Sequence, residues 1–452
     1  MKIKFLGAAG TVTGSKYLLT SCNNHHYLVD CGLFQGGREL RERNWHNLEI
    51  DPSEISAVFI THAHIDHTGY LPRLVSTGFK GPIYCTEPTF ELSKILLPDS
   101  GYLQEEEARY VNHKGYSRHK PALPLYTREQ AEESLNFFKV IDFHTQTQLF
   151  NELNITFFRA GHILGASSIL LEIEGKRIIF SGDVGHYRDL IMNPPDPLPD
   201  ADYLVIESTY GDRLHEKENL LEKMSKIINR AASNKGTIVI PAFAVGRAQL
   251  ILHIIHVLKD KKEIPDIQVF LDSPMAIDAT ELYCHYHDEH RLDAQQSYSM
   301  CSIAKLTRTT QESQAINEID EPKIIISASG MASGGRILHH LKHYISDPKN
   351  TVVLVGYQAI GTRGRALQDG VSKIKVFGDD LKVNANIETI TSLSAHGDYN
   401  ELIHWLNESK LKNPKVFITH GETEASKAFS DRIKKVFKWD TKIPKHNEEV
   451  VL

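Results

Sequence analysis

Residues 61–69 read THAHIDHTG and follow directly on the apolar run AVFI at 57–60. This nonapeptide places four potential metal ligands close together in the chain: His62, His64, Asp66 and His67. In extended backbone, residues two positions apart face the same side, so His62 and His64 can act together. Asp66 and His67 point elsewhere as the chain turns, so one motif can supply two neighbouring metal ions. A solvated histidine-rich turn is the alternative, but the preceding strand disfavours it.

Three further candidate ligands occupy the same kind of position. His162 follows the predicted strand ITFFRA, Asp183 follows RIIF, and His420 follows KVFI. Each lies beside a glycine just past an apolar run, where functional groups tend to gather. One such residue alone would usually be a cap or a turn residue. With the nonapeptide they complete a candidate metal-ligand set of five His and two Asp: His62, His64, Asp66, His67, His162, Asp183 and His420.

The residue types in this set indicate a particular chemistry. Imidazole and carboxylate together suit Zn²⁺, with Mn²⁺ or Fe as alternatives. Two such ions about 3.5–4 Å apart can clamp the oxygens of an in-line displacement at phosphorus. A carboxylate such as Asp183 can bridge both ions, so two Zn²⁺ are the expected cofactors.

Length and composition restrict the class of protein. The chain has 452 residues, which suggests about three domains or two large ones. An apolar fraction of 41% and a charged fraction of 24% exclude a mainly disordered chain. The five cysteines are an odd number without a C-x-x-C pair, which favours a reduced, cytoplasmic protein. No apolar run is long enough for a signal peptide or a membrane span, so no membrane association is expected.

The pattern of apolar residues changes near residue 208. Before it, short apolar runs bounded by Gly, Asp or Asn predict a strand-rich region. After it, strands such as TIVIP at 237–241 alternate with helical apolar spacing at 220–232 and 249–258. This alternation predicts an α/β unit with a parallel sheet.

The ligand set resembles that of the metallo-β-lactamase superfamily. THAHIDHTG matches the superfamily's histidine motif, and His162, Asp183 and His420 match its remaining ligands. Asp30 in LVDCG matches the superfamily's first motif, an aspartate that orients metal ligands without binding the metal itself. The resemblance implies an α/β fold, a four-layer αββα sandwich.

Features beyond Asp183 resemble the β-CASP branch of that superfamily, the nucleic-acid-processing members. Glu207 in VIEST, His396 in SLSAHGD and His420 in FITHGE resemble motifs A, B and C of the branch. The strings PAFAVGRAQ, SGMASGGRI and GYQAIGTRGRAL are similar to those of its RNA-processing ribonucleases, relatives of the eukaryotic pre-mRNA cleavage endonuclease. The resemblance implies that residues 208–387 form an α/β β-CASP domain inserted between two parts of the catalytic domain, 1–207 and 388–452. A histidine at motif C favours RNA over DNA.

What the resemblance implies for function is a ribonuclease acting on phosphodiester bonds of single-stranded RNA. A hydroxide held by two zinc ions would attack phosphorus, leaving a 5′-phosphate and a 3′-hydroxyl. The leaving 3′-oxygen needs a proton or electrostatic help, for which His396, oriented by Glu207, is the candidate. The expected catalytic residues are therefore Asp66, Asp183, Glu207 and His396.

RNA contacts are expected in the inserted region. The net charge of the chain is −6, yet residues 208–387 carry 22 basic and 21 acidic side chains. Glycine-rich loops before a helix let backbone N–H groups approach phosphates. We therefore expect RNA-backbone contacts from Arg247, Ser329, Gly330 and Arg365. One departure from the family loop is visible, because Ile360 replaces a Glu and Arg363 follows the Thr.

Two other classes of function remain as alternatives. A different hydrolase of the same fold, such as a thioesterase or a lactamase, would need no inserted domain. The second alternative is a non-catalytic RNA-binding scaffold, which the presence of all seven ligands disfavours. A flavin-associated di-iron oxidoreductase of the same fold is discounted, because such proteins typically have Glu in place of His64. Endonuclease or 5′–3′ exonuclease action, the physiological RNA and a possible homodimer are left open by the sequence.

Overall fold

The protein is described by a computed structural model for residues 1–115, 119–216, 219–356, 358–359, 361–390 and 393–452. The chain forms two compact units. The first comprises residues 1–189, 193–214 and 396–452, and the second comprises 190–192 and 215–395. The limits that we predicted for the inserted domain, 208 and 387, stay a prediction.

Among the residues that the structure describes, the first unit contains two seven-stranded sheets. The strands of sheet 1 are β1 Lys2–Phe5, β2 Tyr17–Thr20, β3 His26–Val29, β4 Ile55–Phe59, β5 Ile83–Cys85, β6 Phe138–Val140 and β22 Glu449–Val451. Their order is β22-β1-β2-β3-β4-β5-β6, and β3 to β6 run parallel. Because β3 and β4 are parallel neighbours, Asp30 and Thr61, just beyond them, lie at the same edge of the sheet.

Sheet 2 is the second sheet of this unit. Its strands are β7 Thr147–Leu149, β8 Leu153–Arg159, β9 Ser167–Ile173, β10 Lys176–Phe180, β11 Tyr203–Ile206, β20 Lys415–Ile418 and β21 Thr441–Lys442. Their order is β21-β20-β11-β10-β9-β8-β7. Strands β10, β11 and β20 are parallel, and β8 points the same way because β9 is antiparallel to both its neighbours. The carboxyl ends of these four strands therefore share one edge.

Helices cover the outer faces of both sheets. Their bounds are α1 Arg38–Arg43, α2 Ile65–Thr68, α3 Leu71–Ser76, α4 Glu87–Lys114, α5 Arg128–Ser134, α13 Tyr399–Glu408 and α14 Thr423–Phe437, with single 3₁₀ turns at Pro52–Glu54 and Leu135–Phe137. Helix α14 buries Ala425, Phe429 and Ile433, four residues apart on one face of the helix.

Three apolar cores formed by described residues hold these layers together. Phe5, Phe157 and Phe417 belong to the core between the two sheets. A second core joins sheet 1 to α3, α4 and α5, and a third joins sheet 2 to α13 and α14, with Trp405 fully buried in it. The layer order is therefore α/β/β/α, and the predicted fold class is confirmed.

The second unit is built on one six-stranded sheet in the order β14-β13-β15-β12-β16-β19, with all pairs parallel, and a separate hairpin. The strands are β12 Thr237–Pro241, β13 Gln268–Leu271, β14 Lys305–Leu306, β15 Lys323–Ser327, β16 Thr351–Val355 and β19 Asn386–Ile390, and the hairpin consists of β17 Lys373–Val376 and β18 Asp379–Lys382. The helices are α6 Leu220–Ser233, α7 Arg247–Asp260, α8 Pro274–His285, α9 Ala294–Ser302, α10 Thr310–Ala315, α11 Ile337–Tyr344 and α12 Arg363–Gln368, with 3₁₀ turns at His287–Glu289 and Ile316–Glu318. The alternation of strands and helices matches the α/β unit predicted from the sequence.

Two features bear on the expected cellular compartment. Among the described residues, no helix has the length and apolar content needed to cross a membrane. Cys284 and Cys301 of the second unit form a disulfide with Cα atoms 6.7 Å apart, which cysteine spacing did not predict. The cytoplasmic location stays a prediction.

Replacing Trp405 by Ala tests the third core. The side chain is fully buried, and its Nε1 donates a 2.7 Å hydrogen bond to the Asp196 carbonyl oxygen. Loss of both should reduce the free energy of unfolding by about 3–5 kcal/mol, measured by denaturant titration. Trp45, which is 52% exposed, provides the matched control, and Trp45→Ala should cost much less. Equal effects of the two substitutions would contradict this packing.

Candidate metal centre

The site in the first unit is assembled where strands of both sheets end. His62 and His64 follow β4, and the short helix α2 carries Asp66 and His67. Across from them, the loops after β8, β10 and β20 carry the other three candidate ligands, His162, Asp183 and His420. All seven residues that the sequence singled out as ligands therefore lie together.

The seven side chains form two groups. Ligand atoms of the first group, His62, His64, His162 and Asp183, lie within 4.8 Å of one another. Ligand atoms of the second group, Asp66, His67 and His420, lie equally close to one another. Each group has the mixed nitrogen and oxygen donors of a catalytic zinc site.

The Asp183 carboxylate lies between the groups. Its Oδ2 is 3.5 Å from His62 Nε2 and 3.6 Å from His162 Nε2. Its Oδ1 is 3.4 Å from both His67 Nε2 and His420 Nδ1. Oδ1 is buried and accepts no hydrogen bond of good geometry from any described residue. One carboxylate oxygen thus faces each group, which is the arrangement that a bridging ligand requires.

The imidazole rings are closely spaced, as convergence on a shared cation requires. His64 Nδ1 lies 3.1 Å from His62 Nε2 and 3.1 Å from His162 Nε2. His67 Nε2 lies 3.2 Å from His420 Nε2. Nitrogen lone pairs that meet in a buried space favour a cation between them, so the side chains present fit divalent metal ions.

Burial and charge set the protonation of the ligands. Burial lowers the pKa of His62 well below its usual range and that of His64 to about 4, so both imidazoles are neutral at pH 7. Burial alone would raise the pKa of Asp183, but the charges of His420, His67 and neighbouring histidines outweigh it and hold that pKa well below its usual range. For His67, burial would lower the pKa, but the Asp183 and Asp30 carboxylates outweigh it and raise that pKa well above its usual range. Neutral imidazole and ionised carboxylate are the forms that bind metals, so a metal bound by His67 would displace a proton from this ring.

Asp30 holds one of these rings in place. Its Oδ2 is 2.7 Å from His67 Nδ1, and its Oδ1 accepts a 2.8 Å hydrogen bond from the Thr61 backbone N–H. The buried carboxylate therefore ties the start of the histidine motif to the ring of His67. Hydrogen bonds of this kind fix the ring orientation of metal-binding histidines and raise their basicity.

Two glycines allow loops to approach closely at the site. A Cβ on Gly32 would lie 1.5 Å from the Asp66 carbonyl oxygen, so no other residue fits beside the histidine motif. A Cβ on Gly185 would lie 2.0 Å from the Gly161 carbonyl oxygen and 2.8 Å from the His162 backbone nitrogen. The loops that carry Asp183 and His162 can meet only because residue 185 is glycine.

Glu207 and His396 form a pair beside the ligand groups. His396 Nδ1 is 3.1 Å from Glu207 Oε1, and His396 Nε2 is 3.9 Å from Asp183 Oδ2. Burial alone would lower the pKa of His396, but the Glu207 and Asp183 carboxylates outweigh it and raise that pKa to about 9. The His396 side chain is 20% exposed, whereas Glu207 is almost fully buried. His396 can therefore hold a proton at the entrance of the site.

The backbone around His396 is fixed on both sides. His396 pairs with Gly185 in an isolated β-bridge. Two residues later, Asp398 caps α13 by accepting hydrogen bonds from the backbone N–H groups of Asn400 and Glu401. The Glu401 side chain accepts from the Asp398 N–H in return, which completes a capping box. The sequence SAHGD thus places His396 directly before a well-capped helix.

The four residues expected to contact RNA belong to the second unit, and their local surroundings meet. Gly330 packs against Phe243, and the Gly330 carbonyl oxygen accepts a hydrogen bond from Gln358 Nε2. The Gly364 N–H at the start of α12 donates to the Met331 carbonyl oxygen. Arg247 is the buried first residue of α7. The Ser329 Oγ accepts a hydrogen bond from the Ser333 backbone N–H, and Arg365 on α12 forms a 2.8 Å ion pair with Asp369. Contacts of these four residues with RNA stay a prediction.

Sequence reasoning missed three features near the glycine-rich segment, residues 329–335. Phe243 is 38% exposed, although an aromatic residue within the apolar string PAFAV gives no sign of exposure. Arg363 donates hydrogen bonds to the carbonyl oxygens of Ala332, Ser333 and Lys375, so the residue that departs from the family loop braces the glycine-rich segment. The other departure, Ile360, lies outside the described residues.

The third missed feature is a buried network that anchors the glycine-rich segment at its C-terminal end. The Asp272 carboxylate accepts hydrogen bonds from Thr307, Ser313 and the Arg336 guanidinium, and lies 2.7 Å from His340 Nε2. Burial alone would raise the pKa of Asp272, but these hydrogen bonds outweigh it and lower that pKa to about 2. Arg336 immediately follows the glycines of the loop, so its charge is used to hold the backbone.

Three protein-family models match successive parts of the chain. The Metallo-beta-lactamase superfamily model matches residues 10–224, and the Beta-Casp domain model matches residues 248–367. The model of the Zn-dependent metallo-hydrolase RNA specificity domain matches residues 380–444.

Known proteins match over nearly the whole chain. Ribonuclease TTHA0252 of Thermus thermophilus is 34% identical, covering 94% of each chain. An RNase J-like protein of Methanocaldococcus jannaschii is 31% identical, covering 98% of this chain and 97% of the relative. Transcription termination factor FttA of the same organism is 29% identical, covering 98% of this chain and 70% of its own.

A solved structure shares the fold. The crystal structure of a protein of unknown function from Enterococcus faecalis superimposes with a TM-score of 0.56 at 13% identity, covering 100% of this chain and 99% of the other. Fold and site together define a metallo-hydrolase. The chain belongs to the metallo-β-lactamase superfamily, and within it to the β-CASP family, which confirms the predicted family and enzyme class.

Replacing Asp30 by Asn tests its effect on the metal centre. The amide keeps the size of the side chain but removes the charge beside His67, so the affinity for divalent metal should fall about 10–100-fold. Competition with a chromophoric chelator measures this affinity. Asp266→Asn is the control, because that side chain is 99% exposed and should leave the affinity unchanged. Wild-type affinity in Asp30→Asn would exclude a positioning role.

Proposed function

We propose that the protein is a ribonuclease that hydrolyses phosphodiester bonds of single-stranded RNA with two zinc ions, leaving 5′-phosphate and 3′-hydroxyl ends. The observation that carries this proposal is the Asp183 carboxylate, whose two oxygens face two separate groups of metal-binding side chains. Relatives named ribonuclease and RNase J-like protein match almost the whole chain and support RNA as the substrate.

Seven side chains would hold the two ions. His62, His64 and His162 would hold one, Asp66, His67 and His420 would hold the other, and Asp183 would hold both. When bound, the ions would supply a Lewis acid that neutralises charge on the phosphate and lowers the pKa of a coordinated water. Asp30 keeps the His67 ring turned towards the site through its bond to Nδ1.

His396 is the candidate proton donor to the leaving 3′-oxygen. The nearby Glu207 carboxylate stabilises its protonated form, and its pKa of about 9 keeps it protonated at neutral pH. Its side chain is 20% exposed, so a substrate can reach it. Glu207 also accepts a 2.6 Å hydrogen bond from the Val184 N–H, so the Glu207 carboxylate is fixed to the loop that carries Asp183.

Binding of the RNA backbone is assigned to the second unit. Arg247, Ser329, Gly330 and Arg365 are the proposed contacts, and such contacts give affinity that depends on salt rather than on base sequence. The bracing of the glycine-rich segment by Arg363 supports this, because a fixed backbone can present N–H groups to phosphates.

Cleavage of end-labelled RNA tests the proposal. Single-stranded RNA labelled at the 5′ or the 3′ end is incubated with the full chain, with and without chelator, and with Zn²⁺ or Mn²⁺ restored. We expect metal-dependent products with 5′-phosphate and 3′-hydroxyl ends. Ladders from the two labels also distinguish internal cleavage from cleavage that starts at an end. Intact RNA in the presence of metal, with turnover of a thioester or β-lactam instead, would refute the proposal.

Two substitutions separate the metal ligands from the proton donor. Asp183→Ala should lose metal, measured by elemental analysis of the purified protein, and with it all cleavage. His396→Ala should retain metal but lose about 10²–10⁴-fold in single-turnover cleavage, because general acid catalysis contributes about that much. His404→Ala provides the control, since this exposed histidine lies on α13 away from the ligands. Full cleavage by His396→Ala would remove this residue from the mechanism.

A further inference from the structure

A cavity in the first unit belongs to no part of the metal centre. Its volume is about 180 Å³, and no metal-ligand candidate lines it. The basic and aromatic side chains that line it are Lys16, Phe34, Arg43, His46, Tyr70 and His446. Four of these six side chains are basic, and two are aromatic.

The two neighbours of Lys16 in the chain, Ser15 and Tyr17, both contact residues at the metal centre. Ser15 Oγ is 3.4 Å from His67 Nε2, and the Tyr17 hydroxyl donates to Thr419 beside His420. Neighbouring residues in extended backbone face opposite sides, so Lys16 faces away from the metal ligands. A ligand in the cavity therefore would not contact the reacting phosphate.

Lys16 is an unusual residue to find in such a wall. It is 2% exposed, and its Nζ donates to the Gly32 carbonyl oxygen. The ammonium lies 4.7 Å from the Phe34 ring centre and 4.8 Å from that of Tyr70. No carboxylate of a described residue lies within ion-pair distance of it. Buried charges are normally paired, so a buried ammonium at a cavity is a place for an anion.

The protonation of Lys16 agrees with this reading. Burial lowers the pKa of Lys16 to about 8, while a small opposing effect comes from Cys31. The side chain is therefore still largely charged at pH 7. An ammonium with one carbonyl partner and two aromatic faces retains N–H groups for a further acceptor, since Lys has three donors.

The remaining charges on the wall do not compensate for Lys16. The Arg43 guanidinium lies 5.4 Å from the Phe34 ring centre and forms no ion pair with any described carboxylate. Glu49 also lines the cavity, but its oxygens accept hydrogen bonds from Lys4 and from Asn447. The charged groups of the wall that lack a charged partner among the described residues are thus positive.

We propose that this cavity is a binding site for a small phosphate-class anion, either inorganic phosphate or the terminal phosphate of a nucleotide or an RNA. Lys16 supplies the buried charge, Arg43, which is partly buried, supplies a planar pair of donors, and His46 and His446 supply further donors. Tetrahedral phosphate offers several acceptors to such a set, which a single carboxylate does not.

Titration calorimetry with inorganic phosphate tests the site on the full chain. Metal is removed by chelation, and Asp183→Ala serves as the background, so that phosphate at the metal centre does not contribute. We expect one phosphate per chain in this background. Adding Lys16→Met or Arg43→Ala should weaken its affinity at least tenfold. Arg38→Ala is the matched control, because Arg38 lies on the same helix, pairs with Glu42 and does not line the cavity.

The outcomes decide the proposal. Unchanged phosphate affinity in folded Lys16→Met and Arg43→Ala, or no binding at millimolar phosphate, would overturn it. If Lys16→Met fails to fold, which thermal melting followed by circular dichroism reveals, Arg43→Ala decides alone, because Arg43 is only partly buried. An oligonucleotide with and without a 5′-phosphate distinguishes the sources of the anion. Weaker binding of only the phosphorylated form by the variants identifies an RNA end, and unchanged binding of both identifies a free anion.

Discussion

The Asp183 carboxylate is the group around which the first unit is organised. It is 2% exposed and ionised, and its two oxygens face two different sets of imidazoles. A buried carboxylate is stable only when positive charge or hydrogen-bond donors surround it closely. The fold must therefore bring the ends of several strands within a few ångströms of one carboxylate, and small errors in their position would leave a buried charge uncompensated.

Sheet topology meets this requirement. Strands β8, β10, β11 and β20 point the same way, so the residues that follow them meet at one edge of sheet 2. The parallel pair β3 and β4 does the same for Asp30 and the histidine motif in sheet 1. The remaining gap is closed by glycines, since side chains at Gly32 or Gly185 would collide with the neighbouring loop.

The second unit shows the same principle with a different purpose. Its glycine-rich segment has little side-chain mass of its own and depends on two arginines: Arg363 bonds to carbonyl oxygens in its middle, and Arg336 holds its C-terminal end. The buried Asp272 fixes Arg336, so the charge of this arginine is used to hold the backbone. The number of basic residues in a segment is therefore a poor measure of the charge that a ligand meets.

The sequence by itself determined the fold class, the family and the identity of the seven clustered side chains. The fold class and the family follow from the resemblance of several motifs to a known family. The seven side chains follow from local patterns, since an apolar run predicts a strand and the polar residue after it predicts a position at the sheet edge. Tertiary structure decided which ligands share a group, that Asp183 lies between the groups, and that the aromatic Phe243 is exposed. It also decided that Arg363 braces a loop and that Lys16 lies buried at a cavity, with no carboxylate of a described residue within ion-pair distance of its ammonium. Those facts depend on distances between residues far apart in the chain, and local pattern carries no information about which strand ends become neighbours or which charges find partners.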